Sequence, residues 1–249
     1  MKGENFWLVA RPIAHRGLHD RGRGIIENSL SAARAAAGRG YAIECDVRLS
    51  RDGSVFVFHD DLLDRLTEAS GPFARHDSHE LARIALRGGD EAIPSLAKFL
   101  ATVAGAVPLI LELKSDFSGD LALAGAVAAA LADYGGLVAL KSFDPALIAA
   151  LRARAAPWPL GIVAQSDYDG AEFVGLPSAQ WEELTRFTHA AATRPDFLSW
   201  RATDLPAPVV EFARAVAAIP VMTWTIRSPH QADAARKHAD QIIFEGFEA

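Results

Sequence analysis

The chain has 249 residues, 50% of them hydrophobic, and 25 Lys and Arg against 31 Asp and Glu give a net charge of −6. That length and apolar share supply the core of one large α/β domain or two small ones and exclude disorder. The acidic balance excludes a broad nucleic-acid surface, which needs clustered Lys and Arg to neutralise phosphates, so an anionic ligand would require a local concentration of positive charge.

Taken in chain order, the first apolar run, residues 6–10, is shorter than a secretory leader requires. A strand over 12–15 follows, ending in His15-Arg16-Gly17, and Asn28 or Ser29 then caps a helix beginning LSAARAAAG. The next strand, 42–47, carries Glu44 and Asp46 two residues apart, hence on one face. Its single Cys45 offers no disulfide framework, which fits a reducing, cytoplasmic setting. Asp52-Gly53 is a favoured two-residue turn, and residues 54–58 return as an antiparallel hairpin strand, because a parallel partner needs a crossover of a dozen or more residues. Centred there, the turn sets Asp46 opposite His59. Residues 61–91, rich in charge, Gly and His, carry no strand or helix pattern and read as an insertion beside the site.

Further on, Ser95 starts a second helix, strands follow over 109–113, 137–141, 160–164, 197–200, 221–225 and 241–244, and the pairs Asp144-Pro145 and Ser228-Pro229 open two more helices. The alanine-rich stretch 121–132 falls below the roughly 20 residues that span a bilayer. Eight strands alternating with helices predict a (β/α)8 TIM barrel with an extra hairpin strand and a small insertion after strand two, forming one domain over 1–249; a doubly wound open sheet is the alternative.

Near carboxyl ends of strands, where barrel enzymes keep their active sites, stand His15 and Arg16, Glu44 and Asp46, His59, and Glu112 with Lys114. Three converging carboxylates repel one another, and a divalent cation relieves them; oxygen ligands favour Mg2+ or Ca2+ over zinc. Arg16 and Lys114 suit a phosphate, and two histidines remain to move protons. Each feature also has a structural alternative. Glu44 and Asp46 could form a buried salt bridge, either histidine could be a hydrogen-bonded core residue, and Lys114 could merely neutralise Glu112. Glu27-Asn28 reads as helix cap or site, Trp224 as barrel core or substrate platform, and Phe143 as mouth lining or packing. His19, His76, His79, His189, His230 and His238 read as solvated.

The motifs HRG at 15–17, EN at 27–28, IECDVRLSRDG with FHDD at 43–61, ELK at 112–114, SFD at 142–144 and WTIR at 224–227 together resemble the glycerophosphodiester phosphodiesterase family. The resemblance implies a metal-dependent barrel hydrolysing a small-molecule glycerophosphodiester to glycerol 3-phosphate and an alcohol. By motif it implies His15 and His59 as the acid/base pair and Glu44, Asp46 and Glu112 as ligands to Mg2+ or Ca2+. Arg16 and Lys114 are the implied phosphate contacts; Trp224 is expected as a further substrate contact, and the expected hydrolysis runs in two steps through a cyclic phosphate. The chain departs from the family pattern at Ile26 and Ser29, at Arg227 where Asn is common, and at the closing IIFEGFEA, where a Thr-Asp pair is usual. These departures spare the metal and histidine positions and bear on the substrate. Two other functions stay open: a different phosphodiester such as a lysophospholipid, and a metal-dependent binding protein without turnover. A glycosidase would need two carboxylates and neither the histidines nor the cations.

Overall fold

In the computed structural model, which describes residues 6–170, 173 and 175–249, β1 (Ile13–Ala14) hydrogen-bonds in parallel to β2 (Ala42–Leu49) on one side and to the last strand on the other. That double pairing closes the sheet. After the antiparallel β3 (Val55–Val57), the ring continues through β4 (Leu109–Leu113), β5 (Val138–Ser142), β6 (Leu160–Ala164), β7 (Phe197–Arg201), β8 (Val221–Ile226) and β9 (Gln241–Phe244). The eight parallel strands form a TIM barrel with β3 outside the ring, and closure rules out the open doubly wound sheet.

The helices are α1 (Leu30–Gly38), α2 (Ser78–Leu81), α3 (Leu96–Val103), α4 (Ala122–Leu131), α5 (Pro145–Ala153), α6 (Ser178–Arg186), α7 (Ala190–Thr193), α8 (Pro208–Ala215) and α9 (Pro229–Ala235). Their starts obey the capping chemistry of the sequence. The hydroxyls of Ser29, Ser95 and Ser228 and the Asp144 carboxylate each accept a backbone N–H of the first turn, at 3.1, 3.3, 3.2 and 2.9 Å. Ser29, not Asn28, therefore caps α1. The outward faces of the strands, with Ile43, Cys45, Val47, Leu111 and Ile162, pack against this helical layer through Phe99, Val127 and Ile148. Among the described residues no helix is long and apolar enough to cross a membrane.

The hairpin departs from its expected register by one residue. Val47 faces Val57 and Leu49 faces Val55, so Phe58, not His59, stands opposite Asp46 and donates its N–H to the Asp46 carbonyl at 3.0 Å. The cause is a loop of three residues, Arg51-Asp52-Gly53. Ser50 donates its N–H to the Ser54 carbonyl at 2.9 Å, and Gly53 closes the turn at φ +82°, a left-handed conformation that glycine adopts without steric cost. Because β3 ends at Val57, strand alternation no longer governs His59. Its carbonyl accepts from Arg48 Nε at 2.8 Å, and its imidazole still lines the same cavity as Asp46.

The insertion expected to lack regular structure contains a 3₁₀ turn at Phe73–Arg75 and the short α2. It has a core of its own: Leu63, Leu66, Phe73, Leu81 and Leu86 close over Phe56 and Phe58 of the hairpin, with Phe58 and Phe73 stacked at 5.2 Å. The hairpin is thus the platform on which the insertion sits.

Gly17 turns the chain out of β1 at φ +80°, and a Cβ there would meet the backbone carbon and Cβ of Ala32 at 2.8 Å, whereas a Cβ on Gly53 meets nothing within 4 Å. Gly53→Ala is expected to cost about 1–2 kcal/mol for its backbone conformation alone. Gly17→Ala should add a further ~1–3 kcal/mol of overpacking. Urea unfolding of the two variants checks this; equal losses would contradict close packing of Gly17 on α1.

Candidate active site

Inside the ring, Ile13, Ala42, Ile110, Ala139, Phe197, Met222 and Ile243 form an apolar floor with Leu8 beneath. A strand sends residues i and i+2 to the same side, so the next inward positions are His15, Glu44, Glu112, Lys141, Ser199, Trp224 and Glu245. One further step brings Asp46, Lys114 and Phe143. The polar layer therefore results from the sequence alternation of strands whose first inward residue is apolar, and all of it lies at the carboxyl ends.

Glu44, Asp46 and Glu112 are buried, with one oxygen of each lying within 4.8 Å of the others. Three cations meet them. Lys141 Nζ lies 2.9 Å from Glu44 Oε1 and 3.0 Å from Glu112 Oε2, Lys114 Nζ is 2.8 Å from Glu112 Oε1 and 3.5 Å from Asp46 Oδ1, and Arg16 Nε is 3.3 Å from Asp46 Oδ2. Arg16 also gives its backbone N–H to Glu44 Oε2 at 3.2 Å. Burial opposes ionisation of Asp46 and Glu112, yet both are held below the usual carboxylate range. His59, Lys114, Arg16 and an Asn28 hydrogen bond do this for Asp46, and Lys114 and Lys141 for Glu112. In the same balance, burial would lower the pKa of Lys141, and Glu44 and Glu112 outweigh it and raise it.

Asn28, read in the sequence as cap or site, belongs to the site. At φ +59° it gives Nδ2 to Asp46 Oδ2 at 2.9 Å and accepts the Asp46 N–H at 3.3 Å. Its neighbour Glu27 binds Arg16 Nη1 at 2.5 Å and both terminal nitrogens of Arg65 at 2.8 Å, and Arg65 in turn holds Asp60 at 2.6 and 2.9 Å. The Asp60 carboxylate contacts His59 Nδ1 at 2.7 Å. The other histidine is held in the same manner: Glu245 Oε2 contacts His15 Nδ1 at 2.5 Å, and Glu245 Oε1 accepts from Arg227 Nε at 2.8 Å. Each imidazole thus has its Nδ1 fixed by a carboxylate that an arginine anchors, which leaves Nε2 for chemistry. Burial raises the pKa of Asp60 and Glu245, and hydrogen bonds from the histidines, with Arg65 and Arg227 adding charge, bring both well below the ordinary value.

His15, Arg16, Asp46, His59, Glu112, Lys114 and Trp224 line one cavity of about 230 Å³, and Glu44 lies beneath it. Trp224 is anchored through Nε1 to the Ser199 carbonyl at 2.9 Å and stands edge-on to Phe143 at 5.7 Å, so it joins floor and mouth. Phe143 lines the mouth. A second cavity of about 390 Å³ continues past His59 and Lys114 and is walled on one side by Leu62, Phe117, Phe143 and Phe173. Among the histidines read as solvated, His189 is buried, because α7 folds it against Phe187 and Thr193, and burial lowers its pKa to about 4. His19 is drawn to Glu245 Oε2 at 3.7 Å. Sequence reasoning missed Lys141, Glu245 and Arg65. Alternation in VALKSF and IIFE marks the first two as inward-facing, whereas Arg65 reaches the site from a loop without periodicity.

Three buried acidic oxygens, with no His or Cys among them, fit a hard divalent cation. Glu44 Oε1 supports the fit: it is buried without an aligned hydrogen bond, although the Lys141 ammonium stands 2.9 Å away.

A search of curated proteins finds no match. The model of the glycerophosphoryl diester phosphodiesterase family matches residues 15–244. Among solved structures, the chain is similar to an Oleispira antarctica phosphodiesterase in complex with the product sn-glycerol-3-phosphate, with 23% identity, TM-score 0.77 and coverage of 96% of this chain and 93% of that one. It is also similar to the glycerophosphodiester phosphodiesterase of Thermotoga maritima (24%, TM-score 0.69, coverage 93% and 92%). That of Agrobacterium tumefaciens is a third (22%, TM-score 0.68, coverage 94% and 94%). At these identities the structural likeness speaks for the fold.

Burial raises the pKa of Glu27, but hydrogen bonds and charge from Arg65 and Arg16 bring it down to about 2. A depressed carboxylate stabilises the folded state above its unfolded pKa, and that contribution fades as the pH falls from about 4.5 towards 2, where the unfolded chain binds more protons. Glu27→Gln is therefore expected to flatten the loss of stability across that window by a fraction of a proton. Urea unfolding at stepped pH measures it, and an unchanged slope would contradict the pairing.

Proposed function

The chain belongs to the glycerophosphoryl diester phosphodiesterase family, and from that premise we propose that this phosphoric diester hydrolase converts glycerophosphodiesters to glycerol 3-phosphate and an alcohol, with His15 and His59 as its acid/base pair. The observation that carries the reading is the matched tethering of the two imidazoles on either side of the carboxylate centre. The product bound to the Oleispira antarctica structure supports the glycerol 3-phosphate half of the substrate.

A divalent cation, Mg2+ or Ca2+, held by Glu44, Asp46 and Glu112 would supply polarisation of a phosphoryl oxygen and a lowered pKa for the glycerol 2-hydroxyl. Arg16 and Lys114 bind the phosphate; Arg16 Nε is buried without an aligned hydrogen bond, and a phosphoryl oxygen would satisfy it. One imidazole accepts the 2-hydroxyl proton at Nε2 while the other donates to the departing alkoxide, and a cyclic phosphate forms. Water then opens the ring with the two roles exchanged. The internal hydroxyl attacks with the high effective molarity of an intramolecular nucleophile. Trp224 provides an apolar face for the glycerol carbons. The whole barrel with its insertion acts as one catalytic domain, because Arg65 of the insertion anchors both Asp60 and Glu27. Its proposed setting is cytoplasmic, in keeping with a buried, unpaired Cys45.

The apolar wall of Leu62, Phe117, Phe143 and Phe173 favours a second reading, a lysophospholipid whose chain lies along that wall.

His15→Ala and His59→Ala are each expected to fold, to retain cation binding and to turn over glycerophosphodiesters at least ~100-fold more slowly. Release of the head-group alcohol over a panel of head groups and acylated analogues, together with glycerol 3-phosphate from the unacylated members and acylglycerol 3-phosphate from the acylated ones, assayed with Mg2+, Ca2+ or chelator, checks this; near-normal rates in both variants would sink the acid/base assignment. Faster release from the acylated members would favour the lysophospholipid.

A further inference from the structure

Lys141 lies outside every motif that marks the site, yet its ammonium touches two of the three buried carboxylates. It stands on β5 directly beside Glu112 in the strand register, and its side chain is 2% exposed, against 16% for Arg16 and 12% for Lys114. All three cations line the cavity, but Arg16 and Lys114 keep exposed surface there, so an incoming phosphate can draw them away from the carboxylates. Lys141 meets the same cavity from a buried position, held by Glu44 and Glu112, and has no comparable route outward. Its charge remains at the centre whatever binds above it.

Arg16, Lys114 and Lys141 already match Glu44, Asp46 and Glu112 charge for charge. Lys141 contacts Glu44 Oε1 and Glu112 Oε2, so its ammonium stands against two of the three carboxylates that a cation would draw on. Any ion bound there sits a few ångströms from a fixed ammonium in a poorly screened interior, where Coulomb repulsion scales with the charge of the ion.

We infer that Lys141 is a built-in counter-ion of the carboxylate centre, a positioning residue that holds Glu44 and Glu112 in place and, by its immovable positive charge, weakens the capture of a divalent cation. The inference rests on the reading of Glu44, Asp46 and Glu112 as a cation site. A residue with a purely structural role would, on removal, loosen the ligands and weaken binding; a counter-ion would, on removal, strengthen it.

The test is calorimetric titration of Ca2+ into chelator-treated wild type, Lys141→Gln and Lys141→Met, with circular dichroism to check folding. Gln keeps polar contact with both carboxylates, and Met keeps the length of the stem, so one variant can stand in for the other if folding fails. Both are expected to bind Ca2+ at least ~10-fold more tightly than wild type, and the gain in log affinity for a trivalent lanthanide should be about 1.5 times that for Ca2+, in proportion to ionic charge. Unchanged or weaker Ca2+ binding in a folded variant overturns the inference. Failure of wild type and variants alike to bind any cation overturns the cation-site reading itself and the inference with it.

Discussion

Three carboxylates whose oxygens approach within 4.8 Å inside a protein cannot stay ionised without compensation, and most of what surrounds the barrel mouth supplies it. Lys141 meets them from below, Lys114 from the side, and Arg16 from the loop after β1, while Asn28 gives a neutral hydrogen bond to Asp46. Removal of any one member leaves buried charge uncovered, which is why backbone features as local as the turn at Gly17 bear on the site. That turn brings Arg16 back over Glu44, where its N–H serves that acid and its guanidinium serves Asp46 and Glu27.

Closed-barrel geometry makes the arrangement possible. An apolar floor at the first inward position excludes water from below, and the next position on the same strands places polar groups where only the carboxyl-terminal opening gives access. The closing strand matters as much as the central ones. β9 pairs with β1, and through that pairing Glu245 comes alongside His15, 230 residues away in sequence. The hairpin works differently. Its aromatic face, Phe56 and Phe58, is buried under the insertion, and with that face fixed the chain just beyond it carries His59 and Asp60 towards Arg65.

The two histidines are thereby built alike from unlike parts. One is oriented by a strand-end glutamate tied to Arg227, the other by its own sequence neighbour tied to an arginine of the insertion. Fixing Nδ1 in both cases defines the tautomer and ring plane and leaves each Nε2 preorganised. Arg227, which stands where the family commonly has Asn, thus has a local task in this chain: it anchors the acid that orients His15.

Local patterning in the sequence settled the strands, the principal helix starts and the inward-facing acids, because alternation of period two and capping chemistry are properties of a few neighbouring residues. It settled Glu44, Asp46, Glu112 and Lys114 as one constellation for the same reason. Tertiary structure alone decided what depends on long-range pairing. A three-residue loop at Arg51-Asp52-Gly53 shifted the hairpin register, set Phe58 opposite Asp46 and left His59 to be placed by the contacts of the chain beyond β3. Ring closure brought Glu245 to His15, the insertion sent Arg65 across to Glu27, and β5 set Lys141 beside Glu112. In these contacts a charged side chain finds its partner far along the chain, and a linear pattern records the spacing of neighbours but not the folding of distant segments into one mouth.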